Sequence, residues 1–379
     1  MYPPDATKTS NTEPSIACQL CVVPLNTTLS YAAVSYMWGS SADTTGILLN
    51  GKPFVVRQSL LKLLKELAIR HYTGFFWVDA LCIDQSSISE RNHQVALMGK
   101  IYSRASEVLV WLHPKSEKMV RAVRFLKTFD PPMVDLSRPL LQDQVLEYLS
   151  WHKRIPKEVK EGILELCCHT YWNRAWIVQE YTLATVVSIW CGSETTATHN
   201  LRVFSSFDPR IHIGYHHIEL TASYRAVERS WLQYSDKLWH SNALLVMSRS
   251  DAWHHTRQEF RPWLLCKYHK PSHLGCADIR DHVYALLSLV DPEGTIIPDY
   301  NKSPSRLFAD LIDLQFRYDG AYIEDAVRDL QLLLDISDDD PTVSQLLANK
   351  VIRERKPGSQ LTYSREAASA KNLWSTSII

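Results

Sequence analysis

Glycine is scarce in this chain, 12 of 379 residues against an average of about 7%, so a glycine-rich loop cradling phosphate is not expected. The stretch Gly46-x4-Gly51-Lys52 imitates such a loop. Pro53, however, stands where a metal-binding hydroxyl residue belongs, and Ile47-Leu48-Leu49-Asn50 cannot present a run of free amides. Excess charge of either sign is also missing. Lys plus Arg and Asp plus Glu both number 41, and no long basic run occurs, which leaves nucleic-acid binding without compositional support. The chain has no apolar run of about 18 residues, and its opening MYPPDATKTSNTEPS has neither a basic n-region nor an apolar h-region. A soluble, cytoplasmic protein without a membrane partner is therefore expected. Its eight cysteines should then be reduced. Cys18-x2-Cys21 lacks a second pair at zinc spacing, so neither metal nor redox chemistry is expected there. No repeat of 20 to 50 residues is visible.

What the chain does have is a hydrophobic fraction of 45% and a length of 379 residues, enough for two or three globular domains. The richest stretch runs from Phe75 to Leu112. Phe75-Phe76-Trp77-Val78 has the length and aromatic content of a strand buried on both faces. Asp79, Asp84 and Gln85 follow in a loop. Ser87 and Glu90 have capping-box spacing, and Val95, Met98, Ile101, Tyr102 and Ala105 recur at helical intervals before the strand Val108–Leu112. This is a βαβ pattern, whose ligand position is the loop at the carboxyl end of the first strand.

Around that unit, 31–38 and 185–190 read as further strands. Asn50-Gly51 reads as a tight hairpin turn between 47–49 and 54–56, and Leu60, Leu63, Leu64 and Leu67 mark one helix face. Helices are expected at 119–127, 142–168, 281–290 and 304–316. The fold class is therefore α/β: a mostly parallel central sheet, with strands at 32–37, 75–79, 108–112 and 185–190, flanked by helices and followed by a mainly α-helical region. The boundaries read as a loose start at 1–15, the α/β domain at 16–195, the helical region at 196–337 and a loosely held tail at 338–379.

Two groups outside the βαβ unit carry chemistry. In Tyr171–Glu180, Trp176 and Glu180 are separated by one helical turn. A carboxylate beside an indole suits a pocket, while an amphipathic helix with a Glu180–Arg174 pair explains the same residues. Cys266, His269, His273 and Cys276 are zinc-competent residue types, but they fall in one Pro- and Gly-containing loop, and no metal site is expected. Asp338–Asp340 reads as a solvated helix cap.

The blocks YAAVSYMWGS (31–40), WVDALCIDQ (77–85) with ERNHQVALMGKIYSRA (90–105) and VLVWL (108–112), and YWNRAWIVQE (171–180) resemble, in order, the fungal heterokaryon-incompatibility (HET) domain. The segment from Cys276, with Arg280-Asp281, resembles the stretch that commonly trails that domain. The resemblance implies a fungal effector of nonself recognition that triggers growth arrest or cell death. The HET domain is itself a remote relative of the TIR domain, whose enzymatic members cleave NAD with a glutamate in a Trp-x-x-x-Glu helix, and Trp176 to Glu180 has that spacing. By this resemblance the fold has HET/TIR-like, flavodoxin-like layering, Glu180 is the candidate catalytic residue, and Tyr36, Trp38, Asp79, Asp84 and Trp176 are candidate substrate contacts. NAD is the candidate substrate and no cofactor is required. The alternative is a non-enzymatic module acting through self-association or a protein partner.

Overall fold

The computed structural model describes residues 2–7, 15–26, 28–129, 147, 150–206, 233–238, 240–256, 274–291, 294–318, 323–341 and 343–345. Nine strands are described: β1 (Tyr2–Thr7), β2 (Ser15–Gln19), β3 (Tyr31–Tyr36), β4 (Thr44–Leu49), β5 (Lys52–Arg57), β6 (Phe75–Trp77), β7 (Glu107–Leu112), β8 (Val187–Cys191) and β9 (Glu194–Ala197). The central sheet has the order β6-β3-β7-β8-β9. The β6–β3, β3–β7 and β7–β8 ladders are parallel, and β8–β9 is antiparallel. All four strands anticipated from apolar runs share this sheet.

The central sheet is mostly parallel, as expected, and two features lie outside that expectation. The two-residue turn at Gly192-Ser193, with Gly192 at φ 57°, returns the chain as the antiparallel edge strand β9, because so short a link permits only a hairpin. A second, mixed sheet has the order β1-β2-β4-β5. Its β4–β5 hairpin turns at Asn50 (φ 51°) and Gly51 (φ 74°), as the Asn-Gly pair predicts. β2 joins β4 in parallel, and β1 pairs antiparallel with β2. The expected loose start therefore includes a strand, whose backbone groups are satisfied along the edge of β2.

The side chains of β3 and β7 alternate between two cores, as the pleat requires. Ala32, Val34, Tyr36, Leu109 and Trp111 face α1 (Gln58–Ile69), which buries Leu60, Leu63, Leu64 and Leu67 against them. The short α2 (Asp79–Cys82) follows β6. Ala33, Val108, Val110 and Leu112 belong to the opposite core, with Val95, Met98 and Tyr102 of α3 (Ile88–Arg104). Ser87 caps α3 by accepting from Glu90 N at 3.3 Å, while Glu90 reaches past the cap to Asp84 N at 3.0 Å. Small residues at 32 and 33 let helices approach the sheet from both sides. β6 lies at the sheet edge, so Trp77 is only partly buried, set edge-on to Tyr102 at 5.6 Å. The reading of 75–78 as a strand covered on both faces was too deep for that reason.

The second core continues well past the central sheet. Helix α4 (Glu117–Lys127) packs on α5 (Lys157–Cys167). Of the helix expected over 142–168, residues 142–146, 148 and 149 lie outside the described residues, and the rest breaks before Pro156. A 3-10 turn (Thr170–Asn173) leads into α6 (Ile177–Thr182), followed by α7 (Thr198–Ser206), α8 (Asn242–Thr256), α9 (Asp281–Tyr284), α10 (Leu287–Val290), α11 (Pro304–Tyr318) and α12 (Ile323–Leu333). One cluster of buried residues runs from Ala33 to Val343, so the core is shared across the boundary expected at 195. Among the described residues, no helix is long and apolar enough to cross a membrane.

Candidate functional site

Parallel strands end together, so the loops beyond β3 and β6 bring residues distant in sequence to one place. At the end of β3, Ser35 is the lone polar residue of an apolar strand. Its hydroxyl donates to Glu180 Oε2 and lies 2.5 Å from Tyr171 Oη. Because the Ser35 proton goes to Glu180, the Tyr171 hydroxyl is the donor to Ser35, giving a chain Tyr171 to Ser35 to Glu180. The Tyr102 hydroxyl, within the electrostatic reach of Glu180, donates to the Val34 carbonyl at 3.3 Å. Arg174 donates from Nη1 to the Tyr36 carbonyl at 2.6 Å, and its Nη2 stands 3.9 Å from Glu180 Oε1. Glu180 is 1% exposed.

Asp79, one residue beyond Val78 at the end of β6, uses both oxygens: Oδ2 accepts from Trp38 Nε1 at 2.8 Å and Oδ1 from Ala80 N at 2.7 Å. The Arg57 guanidinium covers the Trp38 ring at 5.0 Å and donates to Gly39 O at 2.7 Å.

These contacts set the ionisation. Burial raises the proton affinity of Glu180, opposed by Arg174 and the Ser35 hydroxyl and reinforced by the charge of Asp79. Burial likewise raises Asp79, against Arg174 and the Trp38 N–H. For Arg174, burial disfavours the charge, but Glu180 and Asp79 outweigh it and hold the guanidinium more firmly protonated. The phenols of Tyr171 and Tyr102 are pushed upward by burial and then by Glu180, so both remain donors. Two carboxylates thus share one guanidinium. Such a site can stabilise a positive centre, accept hydroxyl hydrogen bonds and take up a proton more readily than an exposed carboxylate.

The six candidates are not treated alike. Glu180, Asp79 and Trp38 gather at the strand ends. Tyr36 is there too, but its ring is buried and it meets the cluster through its carbonyl. Asp84 is exposed and serves its own turn, accepting from Ser86 N at 2.9 Å and Ser86 Oγ at 2.6 Å, bonds that hold its carboxyl below the usual range. Trp176 is the N-cap of α6, partly buried against the larger core, and its carbonyl accepts the Glu180 amide at 3.2 Å. The expected Glu180–Arg174 pairing is present, though Ser35 makes the closer contact.

Sequence reasoning missed Ser35, Tyr102 and Tyr171. Ser35 left a signal, a hydroxyl interrupting an apolar strand, whereas Tyr102 and Tyr171 read as ordinary core aromatics. Among the described residues no cluster suits a metal ion, and Cys266, His269 and His273 lie outside them. A shallow groove of about 730 Å³ crosses β8 and β9, lined by Arg70, Trp190, Thr195 and Asn200 among others. It holds neither Glu180 nor Asp79.

Residues 31–180 match the family model described as heterokaryon incompatibility protein (HET). Heterokaryon incompatibility protein 6, OR allele, of Neurospora crassa is 24% identical over 224 residues, 50% of this chain and 33% of that protein. The chain thus spans about a third of the length of the curated relative it matches. No solved structure matches the chain.

Proposed function

Since this chain belongs to the heterokaryon-incompatibility (HET) family through residues 31–180, we propose that it is a cytoplasmic effector of fungal nonself recognition whose HET domain triggers growth arrest or cell death by cleaving a nicotinamide dinucleotide. The observation that carries the chemistry is the buried Glu180, joined to Tyr171 through Ser35 and facing Asp79 at the ends of β3 and β6. The strand order supports a TIR-like arrangement. Counted along the central sheet it is 2-1-3-4-5, the doubly wound order whose switch point falls between β3 and β7. The site lies at the carboxyl end of β3, at that point.

In this reading the bond between the ribose C1′ and the nicotinamide nitrogen breaks, and its electron pair leaves with the neutral nicotinamide. Positive charge develops at C1′, where the Glu180 carboxylate stabilises it. Water then bonds to C1′ and gives its proton to Glu180, whose raised affinity suits the transfer. Asp79, fixed by Trp38, accepts from ribose hydroxyls, and Trp38 offers an indole edge for a ring. Tyr36 acts by holding Arg174, and Asp84 serves the rim.

Glu180→Gln keeps the side-chain size but removes the charge, so a folded variant should consume the dinucleotide at least about 100-fold more slowly. Purified protein and expressing cells are assayed for dinucleotide loss and toxicity beside it. Undiminished toxicity in a folded variant, or wild-type toxicity without dinucleotide loss, would sink the enzymatic reading. A second reading, a signalling module working by self-association or partner recruitment, is favoured by the burial of Glu180, which leaves 1% of it exposed.

A further inference from the structure

The candidate site sets two carboxylates, Glu180 and Asp79, against one guanidinium. Arg174 is committed there: it donates to the Tyr36 carbonyl at 2.6 Å and stands 3.9 Å from Glu180. Its backbone is also fixed on both sides, because Gly275 donates to Asn173 O at 2.5 Å and accepts from Ala175 N at 3.1 Å. A dinucleotide brings a negatively charged diphosphate, which two carboxylates repel. A cation free to meet that charge has to stand at the same place. Arg91 is taken up by Tyr300, whose ring centre lies 3.7 Å from its guanidinium, and Arg70 is paired with Glu66 at 2.9 Å.

Arg57 has both the position and the freedom. It ends β5, across from Thr44 of β4, and two residues on Ser59 donates to the Trp38 carbonyl. The join between β5 and α1 is thereby fastened to the loop beyond β3. From that join Arg57 Nη1 donates to the Gly39 carbonyl at 2.7 Å, and its guanidinium lies 5.0 Å from the centre of the Trp38 ring. The same indole donates to Asp79 Oδ2 at 2.8 Å. One side chain therefore separates a carboxylate suited to ribose hydroxyls from a partly exposed guanidinium. Among the described residues no carboxylate pairs with Arg57, and the Gly39 carbonyl engages one of its five N–H donors. A planar fork with donors to spare matches phosphate oxygens two at a time.

We propose that Arg57 is the phosphate-binding, specificity-determining residue of the candidate site: a ribose held at Asp79 brings its diphosphate beside Trp38 to the Arg57 guanidinium, so that the site selects nucleotides over nucleosides. That the nucleotide is then cleaved rests on the dinucleotide reading; the preference for phosphate does not.

The test is calorimetric binding of ADP and of adenosine, which differ only in the diphosphate, to the full chain. Wild type should bind ADP about 10- to 100-fold more tightly than adenosine, the scale of a charge-assisted bidentate contact. Arg57→Gln, which keeps a donor for the Gly39 carbonyl but loses the charge, should erase most of that advantage, leave adenosine where it was and raise the KM for the dinucleotide by a similar factor. Arg57→Lys keeps the charge without the fork and should retain part of the advantage; it decides the question if Arg57→Gln does not fold. Equal binding of the two ligands by wild type, or no binding of either, overturns the proposal, as does an ADP advantage that survives in the variants. A loss that strikes ADP and adenosine alike also overturns it, since Arg57 would then act only as a support for Trp38. If the ADP advantage depends on Arg57 while wild type leaves the dinucleotide intact, the cleavage reading fails and the phosphate site stands.

Discussion

Gln179 and Glu180 are neighbours in α6 with opposite circumstances. Every oxygen of Glu180 has a partner, whereas among the described residues neither the amide nitrogen nor the amide oxygen of the fully buried Gln179 has one, and Thr182 Oγ1 shares that condition three residues on. A buried polar group without a partner costs about 1–3 kcal/mol. Gln179→Met, similar in shape and free of that cost, should raise stability by about 1 kcal/mol or more, read as a higher urea midpoint at unchanged slope. A fall of that size would show that the amide is satisfied in solution, by water or a ligand. At this scale the sequence was legible where chemistry leaves a mark in the local pattern. Glu180 stood out by its distance from Trp176, and Asp79 by following an apolar strand. Tyr171 and Tyr102 did not, because a phenol becomes part of a site only through what lies opposite it, and Ser35 is 136 residues from Tyr171.

The packing of α4 on α5 turns on one position. A Cβ at Gly162 would run into the Lys118 carbonyl and meet the Ala122 side chain at 3.0 Å. Helix propensity alone predicts a gain of about 1 kcal/mol for Gly162→Ala. The backbone of Lys118 cannot swing aside as a flexible side chain would, so a net loss of about 1–3 kcal/mol is expected, measurable as a lower thermal or urea midpoint. A stabilised variant would mean that the two helices are not this close. Elements whose signals are local were read well from sequence: the leucine face of α1, the Ser87 cap of α3, the Asn50-Gly51 turn. The second sheet was not, since nothing within Ser15–Gln19 states that its partner is β4. The edge position of β6 was hidden for the same reason, and with it the partial exposure of Trp77.

At the scale of the molecule, the matched region and the helices after it share a core. Ala33, Tyr102 and Trp172 lie in the same buried cluster as Tyr284, Phe308 and Leu330. A fragment of residues 1–195 should therefore unfold over a broad denaturant range and bind a hydrophobic dye, unlike the full chain. A sharp transition at the full chain's midpoint would show that the core divides near 195. The alternation of strands and helices revealed the α/β class, whereas the buried cluster that runs across the boundary read at 195 left no local mark in the sequence.

The return of Gly275 to Asn173 and Ala175 also sets a clock. At about 5–20 residues per second, the stretch from Glu180 to Lys302 takes roughly 6 to 24 s to synthesise. Through that interval β3, β6 and β7 have already been made, yet the residue that pairs with Asn173 and Ala175 is still inside the ribosome or waiting to be added. A nascent chain can thus make most of its central sheet seconds before the residue that pairs on either side of Arg174 is added.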